Sequence, residues 1–401
     1  MYSCLDTPDM ADGIPNMRVE PTVTSGEGTA SPSDGVLELT GTITSVGKIG
    51  TFFMKGFCWG YSATNLADSV FFKDTNFELS PFSYLLSNVR GDTTIYWQAF
   101  ARNDYGISLG NIISYKTPPI FTYNEANAFT GQLRSNFASF TLNNNLYFTC
   151  GYQNILFSDI YRFDKINWWY TVPAFPGAER ANLVAFTIDS LACVGTGRAS
   201  PTIIFGDFYV FHGNTTTPKW DEMPIQTPAE MPRYDAVAFS LNNKGYVVGG
   251  NSANGVLKDV WEYSITDGID SWEKKNDFPS SFSGGMSFSN NERAFVGFGN
   301  NDTENTLWEY DAATDSWEVF ASTPTNSKGI YSGVITQDKI YLLDVDNIIW
   351  ELDLATGKYK QKSTLPEVFQ YNQYMFSLGD AIYIGLGGTE LFYRYYPLWD
   401  N

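Results

Sequence analysis

Four cationic side chains recur at one place in a repeating pattern. Arg134, Arg180, Arg233 and Lys328 each stand in or near the turn between an aromatic strand and the next apolar strand. Gly284 and Tyr371 occupy the corresponding gaps of two further repeats. The chain carries 25 Lys and Arg against 44 Asp and Glu, a formal charge of −19, so a cationic cluster departs from its background. A guanidinium grips a carboxylate through two parallel hydrogen bonds. The spacing therefore points to a pocket for an acidic ligand, such as a uronic or sialic acid or an acidic peptide. The competing reading is pairing with local carboxylates, as Asp235 could pair with Arg233. A second candidate patch holds Arg198, Asn251, Asn254, Asn300, Asn301 and Asp302, expected on the opposite mouth or the side. Asn-rich loops of this kind also serve as plain turns.

Other chemistries lack their residues. His212 is the single histidine, so a multi-histidine metal site has no ligands and a Ser-His-Asp triad would have to pass through this residue. It reads as a residue just after a strand. The one GxSxG, Gly106 to Gly110 around Ser108, falls at a strand ending with no helix to follow, which a nucleophile elbow requires. The glycines near Gly385 also lack a following helix, so no phosphate loop is expected. No metal and no cofactor is expected. An acidic chain repels phosphate backbones, which argues against a nucleic-acid partner. No run of 18 apolar residues is present to span a bilayer.

These side chains need a scaffold, and the composition names its class. Aromatic residues make up 16% and charged residues only 17%, a balance that suits pleated, half-buried strands and an all-β protein. An aromatic strand, a turn and a new apolar strand recur, anchored at Trp169, Trp220, Trp272, Trp317 and Tyr359, 42 to 52 residues apart. That period suits one four-stranded propeller blade. Each unit also has an apolar strand usually ending in glycine, such as Val247-Val248-Gly249-Gly250. A strand bearing an aromatic pair follows, such as Trp261-Glu262-Tyr263 or Trp308-Glu309-Tyr310. Glycines let inner strands crowd, and the large aromatics fill the widening gaps between blades.

The segments LWEYDAATDSWE and VWEYSITDGIDSWE resemble the kelch repeat. The resemblance implies a six-bladed β-propeller over 118–401. The segment Ile120–Asn127 would enter the last blade as its missing outer strand. PLWDN at the end of the chain is the other candidate for that role, leaving the earlier segment a linker. Copper chemistry of the galactose oxidase kind, found on some kelch propellers, needs two histidines and is excluded. The resemblance implies a module binding a carbohydrate or protein at the propeller mouth. The alternative it brings is an enzyme similar to the kelch-fold sialic acid mutarotases or epimerases, which would need a carboxylate facing the arginines.

Residues 17–117 read as short strands spaced as in an antiparallel sandwich. KGFCWGYSATNLADS and TTIYWQAFARNDYGISLGNIISYKT are similar to fibronectin type III-like modules of bacterial surface proteins. The family's corner tyrosine falls at Ile95, so either Tyr96 takes its role or the corner is lost. Such modules act mostly as spacers or binding platforms. Residues 1–16 resemble the start of a mature bacterial lipoprotein, a lipid-bearing Cys4 followed by a polar tether. That implies a lipid-anchored protein of the outer membrane or cell surface, touching the membrane through the anchor alone. Cys58, Cys150 and Cys193 lie in apolar runs and are expected to be buried free thiols.

Overall fold

A computed structural model describes residues 20–400 except 32–34, 49–52, 74–78, 124–127, 165–167, 214–216, 222–223, 301–304, 325–326, 328, 337, 367–372 and 380. The protein is all-β. Among the described residues the one helical element is a single 3-10 turn, Pro397–Trp399, and no helix is long and apolar enough to cross a membrane. The chain divides into two compact units, residues 1–121 with 396–401 and residues 122–395.

In the first unit, strands Thr22–Ser31, Val36–Ser45 and Pro81–Leu86 form one antiparallel sheet. Strands Asp68–Lys73, Phe53–Gly60, Thr94–Asn103, Gly106–Leu109 and Ile113–Lys116 form the other. Strict alternation drives their burial: Leu37, Leu39 and Ile43 face inward, as do Ile95, Trp97, Ala99 and Ala101, in one shared core. Ile95 is wholly buried there, so Tyr96, the next residue along the strand, points away from that core. Trp399 of the 3-10 turn is buried in the same core, and its carbonyl accepts from the Gly91 amide at 2.7 Å. PLWDN therefore forms a core plug in the first unit and supplies no strand to the second. Cys58 is disulfide-bonded, a correction to the expected free thiol. Cys150 and Cys193 are free and buried, and desolvation pushes the Cys150 thiol up to about 12.

The described residues of the second unit form six four-stranded antiparallel sheets, ordered along the chain, and two two-stranded ribbons, Tyr152–Gln153 with Ile155–Leu156 and Asn251–Ser252 with Gly255–Val256. The first strands of the six sheets are Ala138–Leu142, Val184–Ile188, Val237–Leu241, Met286–Ser289, Ile330–Ile335 and Tyr374–Leu378. Each first strand lies beside the first strand of the next sheet, and Tyr374–Leu378 returns beside Asn145–Thr149 of the first sheet. Phe148 and Phe163 share a core with Phe376, Tyr383 and Phe392, so the sixth sheet packs on the first. This circular order is consistent with a β-propeller. In the sixth sheet Phe121–Thr122 is the fourth strand, next to Phe392–Tyr395, the position expected of the segment after Ile120. The rest of that expected strand, 124–127, lies outside the described residues.

Hydroxyl groups lace the first strands together. Ser240 Oγ accepts from the Thr187 amide at 2.8 Å, Ser287 Oγ donates to the Ala238 carbonyl at 2.7 Å, and Ser332 Oγ accepts from the Met375 amide at 2.8 Å. Aromatic pairs fill the space between sheets, as Phe186 does against Trp272 of the next sheet.

Candidate functional site

The first strands of the six sheets have two ends, and the candidate side chains gather at both. At the starting end, Arg134, Arg180 and Arg233 each stand four residues before their strand. All three are buried, and all three make one repeated network. Nε donates to the carbonyl two residues back: Gln132 at 3.0 Å, Ala178 at 2.9 Å and Met231 at 3.1 Å. Nη1 donates to the carbonyls of Cys150, Thr196 and Gly249 at 3.3, 3.1 and 2.9 Å. Both Nη atoms then grip a carboxylate, that of Asp159, Asp207 or Asp259. The Arg233–Asp259 pair, at 2.8 and 2.9 Å, shows the geometry.

This takes the three arginines out of the expected acidic-ligand rim. The side chains of Arg180 and Arg233 are 0% exposed and that of Arg134 1%, and each guanidinium fork is already filled by its own aspartate. The local-pairing reading was the right one in kind, but the partner of Arg233 is Asp259 and not Asp235. Each Arg bonds the start of a loop while its Asp stands at the loop's end, so the pair is a clamp closing the loop between the second and third strands. In the fourth sheet Phe282 stands where the arginines do, four residues before Met286. Gly284 falls two residues later, so it aligns with Asn136, Asn182 and Asp235 and not with the arginines. Lys328 and Tyr371 lie outside the described residues.

Those four aligned residues form a second repeated device. All have left-handed backbones, with φ of 55, 60, 54 and 64°. The amide of each of the last three donates to the carbonyl of its predecessor: Asn182 to Asn136 at 2.8 Å, Asp235 to Asn182 at 3.1 Å, Gly284 to Asp235 at 2.8 Å. The Asn182 amide group also donates to Asp235 Oδ1, and Asn251 Nδ2 reaches Oδ2 at 3.4 Å. Burial raises the Asp235 carboxyl above its ordinary value, against the opposing pull of Asn182, Arg198 and Asn251.

The second expected patch is split. Arg198 pairs its backbone with Ala181, and Asn251 with Tyr234, so both sit at the same end as the arginine clamps and not opposite them. Asn254 and Asn300 are exposed loop residues, and Asn301 and Asp302 lie outside the described residues.

The other end holds an open cavity of about 500 Å³. Thr187, Asp189, Ser240, Leu241, Asn242, Asn243, Asn290 and Asn291 line it, all in or next to the hairpin turns that end three first strands. Sequence reasoning missed this site because these asparagines read as turn formers. They are that as well: Asn242 and Asn243 have φ of 53 and 59°, the conformation a two-residue hairpin demands. Asn243 Oδ1 also accepts from the Asp189 amide of the neighbouring sheet at 2.7 Å. A lining of amides, hydroxyls and one carboxylate offers donors and acceptors with little net charge.

His212 ends the strand Phe208–His212, with Nε2 2.7 Å from Asp221 Oδ1. Ser108 lies within the strand Gly106–Leu109, paired with Ala101. Among the described residues no group of three His, Cys, Asp or Glu is placed to hold a metal.

No family model matches this sequence, and no curated protein does. Solved structures do match in shape, 680 chains of them. One, described as "Structure of YjhT", aligns with a TM-score of 0.53 at 14% identity, covering 66% of this chain and 94% of that one. At that identity the likeness is one of fold: antiparallel β-sheets arranged as in a β-propeller.

Proposed function

We propose that this chain is a carbohydrate-binding protein, built as a fibronectin type III-like sandwich followed by a six-bladed, kelch-like propeller. The observation that carries the function is the cavity rimmed by Thr187, Asp189, Ser240, Asn242, Asn243, Asn290 and Asn291. Sugar hydroxyls both donate and accept, and clustered amides and hydroxyls complement them without demanding a charge. The acidic ligand first expected is dropped, because the arginines that would have held it are neutralised by aspartates. The mutarotase or epimerase alternative relied on the same arginines and is not advanced. A glycan panel tested against the full chain should give binding that falls about tenfold in an Asn242→Gly, Asn291→Ala double variant, the scale of one or two lost hydrogen bonds. Glycine keeps the turn's left-handed backbone, so the loss would report the side chains. Equal binding by the variant would refute the cavity, and faster anomer exchange on adding protein would restore the enzyme reading.

Anchoring at Cys4 is a separate proposal that rests on sequence alone. Cys4 lies outside the described residues, and Cys58 is disulfide-bonded. Peptide mapping of the unreduced protein decides this: a lipid on Cys4 supports surface anchoring, and a Cys4–Cys58 link removes it.

A further inference from the structure

The asparagine-rimmed cavity divides its lining into groups that build it and groups left over. Ser240 Oγ accepts from the Thr187 amide at 2.8 Å and lies 3.3 Å from Thr187 Oγ1. Asn243 Oδ1 holds the Asp189 amide at 2.7 Å, and Asn290 Oδ1 accepts from the Glu292 and Arg293 amides at 2.9 and 2.8 Å. Those contacts shape the turns. Among the described residues the side chains of Asp189, Asn242 and Asn291 make no hydrogen bond and no ion pair. Each comes from a different turn, so one carboxylate and two amides line the same opening with their bonding capacity unspent.

The carboxylate also lacks a counter-charge. Among the described residues no Lys, Arg or His lines the cavity. The two cations next in sequence to its turns are committed elsewhere: Lys244 to Glu262 at 2.6 Å, and Arg293 to both oxygens of Glu309 at 2.6 and 2.7 Å. The turn itself does not call for the acid. Asn143 and Asn242 hold the matching turn position in the hairpins of the first and third sheets, with φ of 51 and 53° against 50° at Asp189. A carboxylate accepts hydrogen bonds and donates none. The donor it binds most strongly is a cationic N–H group. A chain of charge −19 adds to that preference and repels anions. A calcium ion would want more carboxylates than the one this lining has.

We propose that the carbohydrate taken by this cavity is an amino sugar, its protonated amine bound by Asp189 and its neighbouring hydroxyls by the Asn242 and Asn291 amides. The inference deepens the carbohydrate-binding reading and rests on it. Asp189 is then the residue that sets specificity, and uronic or sialic acids are selected against.

The test is calorimetric titration of the full chain with methyl glycosides of glucose, galactose and mannose, of glucosamine, galactosamine and mannosamine, and of the N-acetyl forms of the last three. Buffer at about pH 6 keeps such an amine, like an α-amino group, protonated. The best amino sugar should bind about fivefold tighter than its hydroxyl analogue and its N-acetyl form, the scale of one ion pair at an exposed carboxylate such as Asp189. Added salt should shrink that margin. Asp189→Asn copies the residue at the matching position of the first and third sheets, so its unfolding midpoint should match the unaltered chain while the margin vanishes. In the Asn242→Gly, Asn291→Ala variant all the sugars should weaken together and the margin should survive. Sugars that bind with no advantage for the amine, or an advantage that Asp189→Asn retains, would overturn the amine assignment and leave the carbohydrate reading standing. Binding by no sugar at all would remove both.

Discussion

An arginine whose fork is filled by an aspartate cannot also serve a ligand, and Arg134, Arg180 and Arg233 are of that kind. Breaking such a pair from one side leaves an unpaired buried charge, which costs about 3–5 kcal/mol, whereas an apolar replacement of both partners costs far less. The fourth sheet already illustrates the apolar solution, with Phe282 in the arginine's place. Arg233→Met alone should therefore lower the unfolding free energy in urea by about 3–5 kcal/mol, and adding Asp259→Leu should recover much of that. Acid should act on the same pair. Burial by itself would raise the Asp259 carboxyl, but the hydrogen bonds and charge of Arg233, with Trp261 and Lys274, outweigh it and hold it below its ordinary value. A depressed folded value means that the stabilisation is complete above the unfolded value near pH 4 and drains as pH falls through the folded one. Urea midpoints between pH 7 and 3 should fall more steeply for the parent than for the double variant.

At the scale of the strand, the motif's charged residue has a structural use that its aromatic neighbours obscured. Glu262 takes Lys244 at 2.6 Å, Glu309 takes Arg293 at 2.6 Å, and Glu351 takes Lys339 at 3.1 Å. In each case the cation lies at or just before the start of the sheet's second strand, next to the third. Burial opposes ionisation of Glu351, yet Lys362 and Lys339 together hold its carboxyl below the usual range. Glycine has an equally local reason at Gly245 in the strand Lys244–Val248. A Cβ there would sit 2.1 Å from the Phe186 ring of the neighbouring sheet. Gly245→Val should push the second and third sheets apart and cost about 1–3 kcal/mol or more, the range of overpacked cores. Urea denaturation measures it, and a value within 0.5 kcal/mol of the parent would show that Phe186 moves aside freely.

At the scale of the molecule, two segments complete structure laid down far from them in the sequence. Phe121–Thr122 supplies the fourth strand of the sixth sheet, covering an edge that would otherwise offer unpaired backbone groups. Trp399, from the last six residues, fills the core of the first unit beside Leu37 and Trp97. Trp399→Ala should destabilise the first unit by about 3–5 kcal/mol through the cavity it leaves. Amide exchange in Val36–Ser45 should accelerate accordingly, and unchanged protection there would show that the plug is dispensable.

The sequence by itself determined the strand class and the repeat, because alternation and the 42–52-residue spacing of Trp169, Trp220, Trp272, Trp317 and Tyr359 are properties of a single chain, whereas it left two candidates for the closing strand, the segment after Ile120 and PLWDN. It also showed that Arg134, Arg180 and Arg233 are equivalent. What it left open was the direction each equivalent side chain faces. Asp159, Asp207 and Asp259 lie 25 to 27 residues from their arginines, and only the meeting of loop start and loop end joins them. The cavity was hidden for the same reason. Asn242, Asn290 and Asp189 belong to three separate turns, each sufficient as a turn, and only the lateral packing of neighbouring sheets makes them one polar surface.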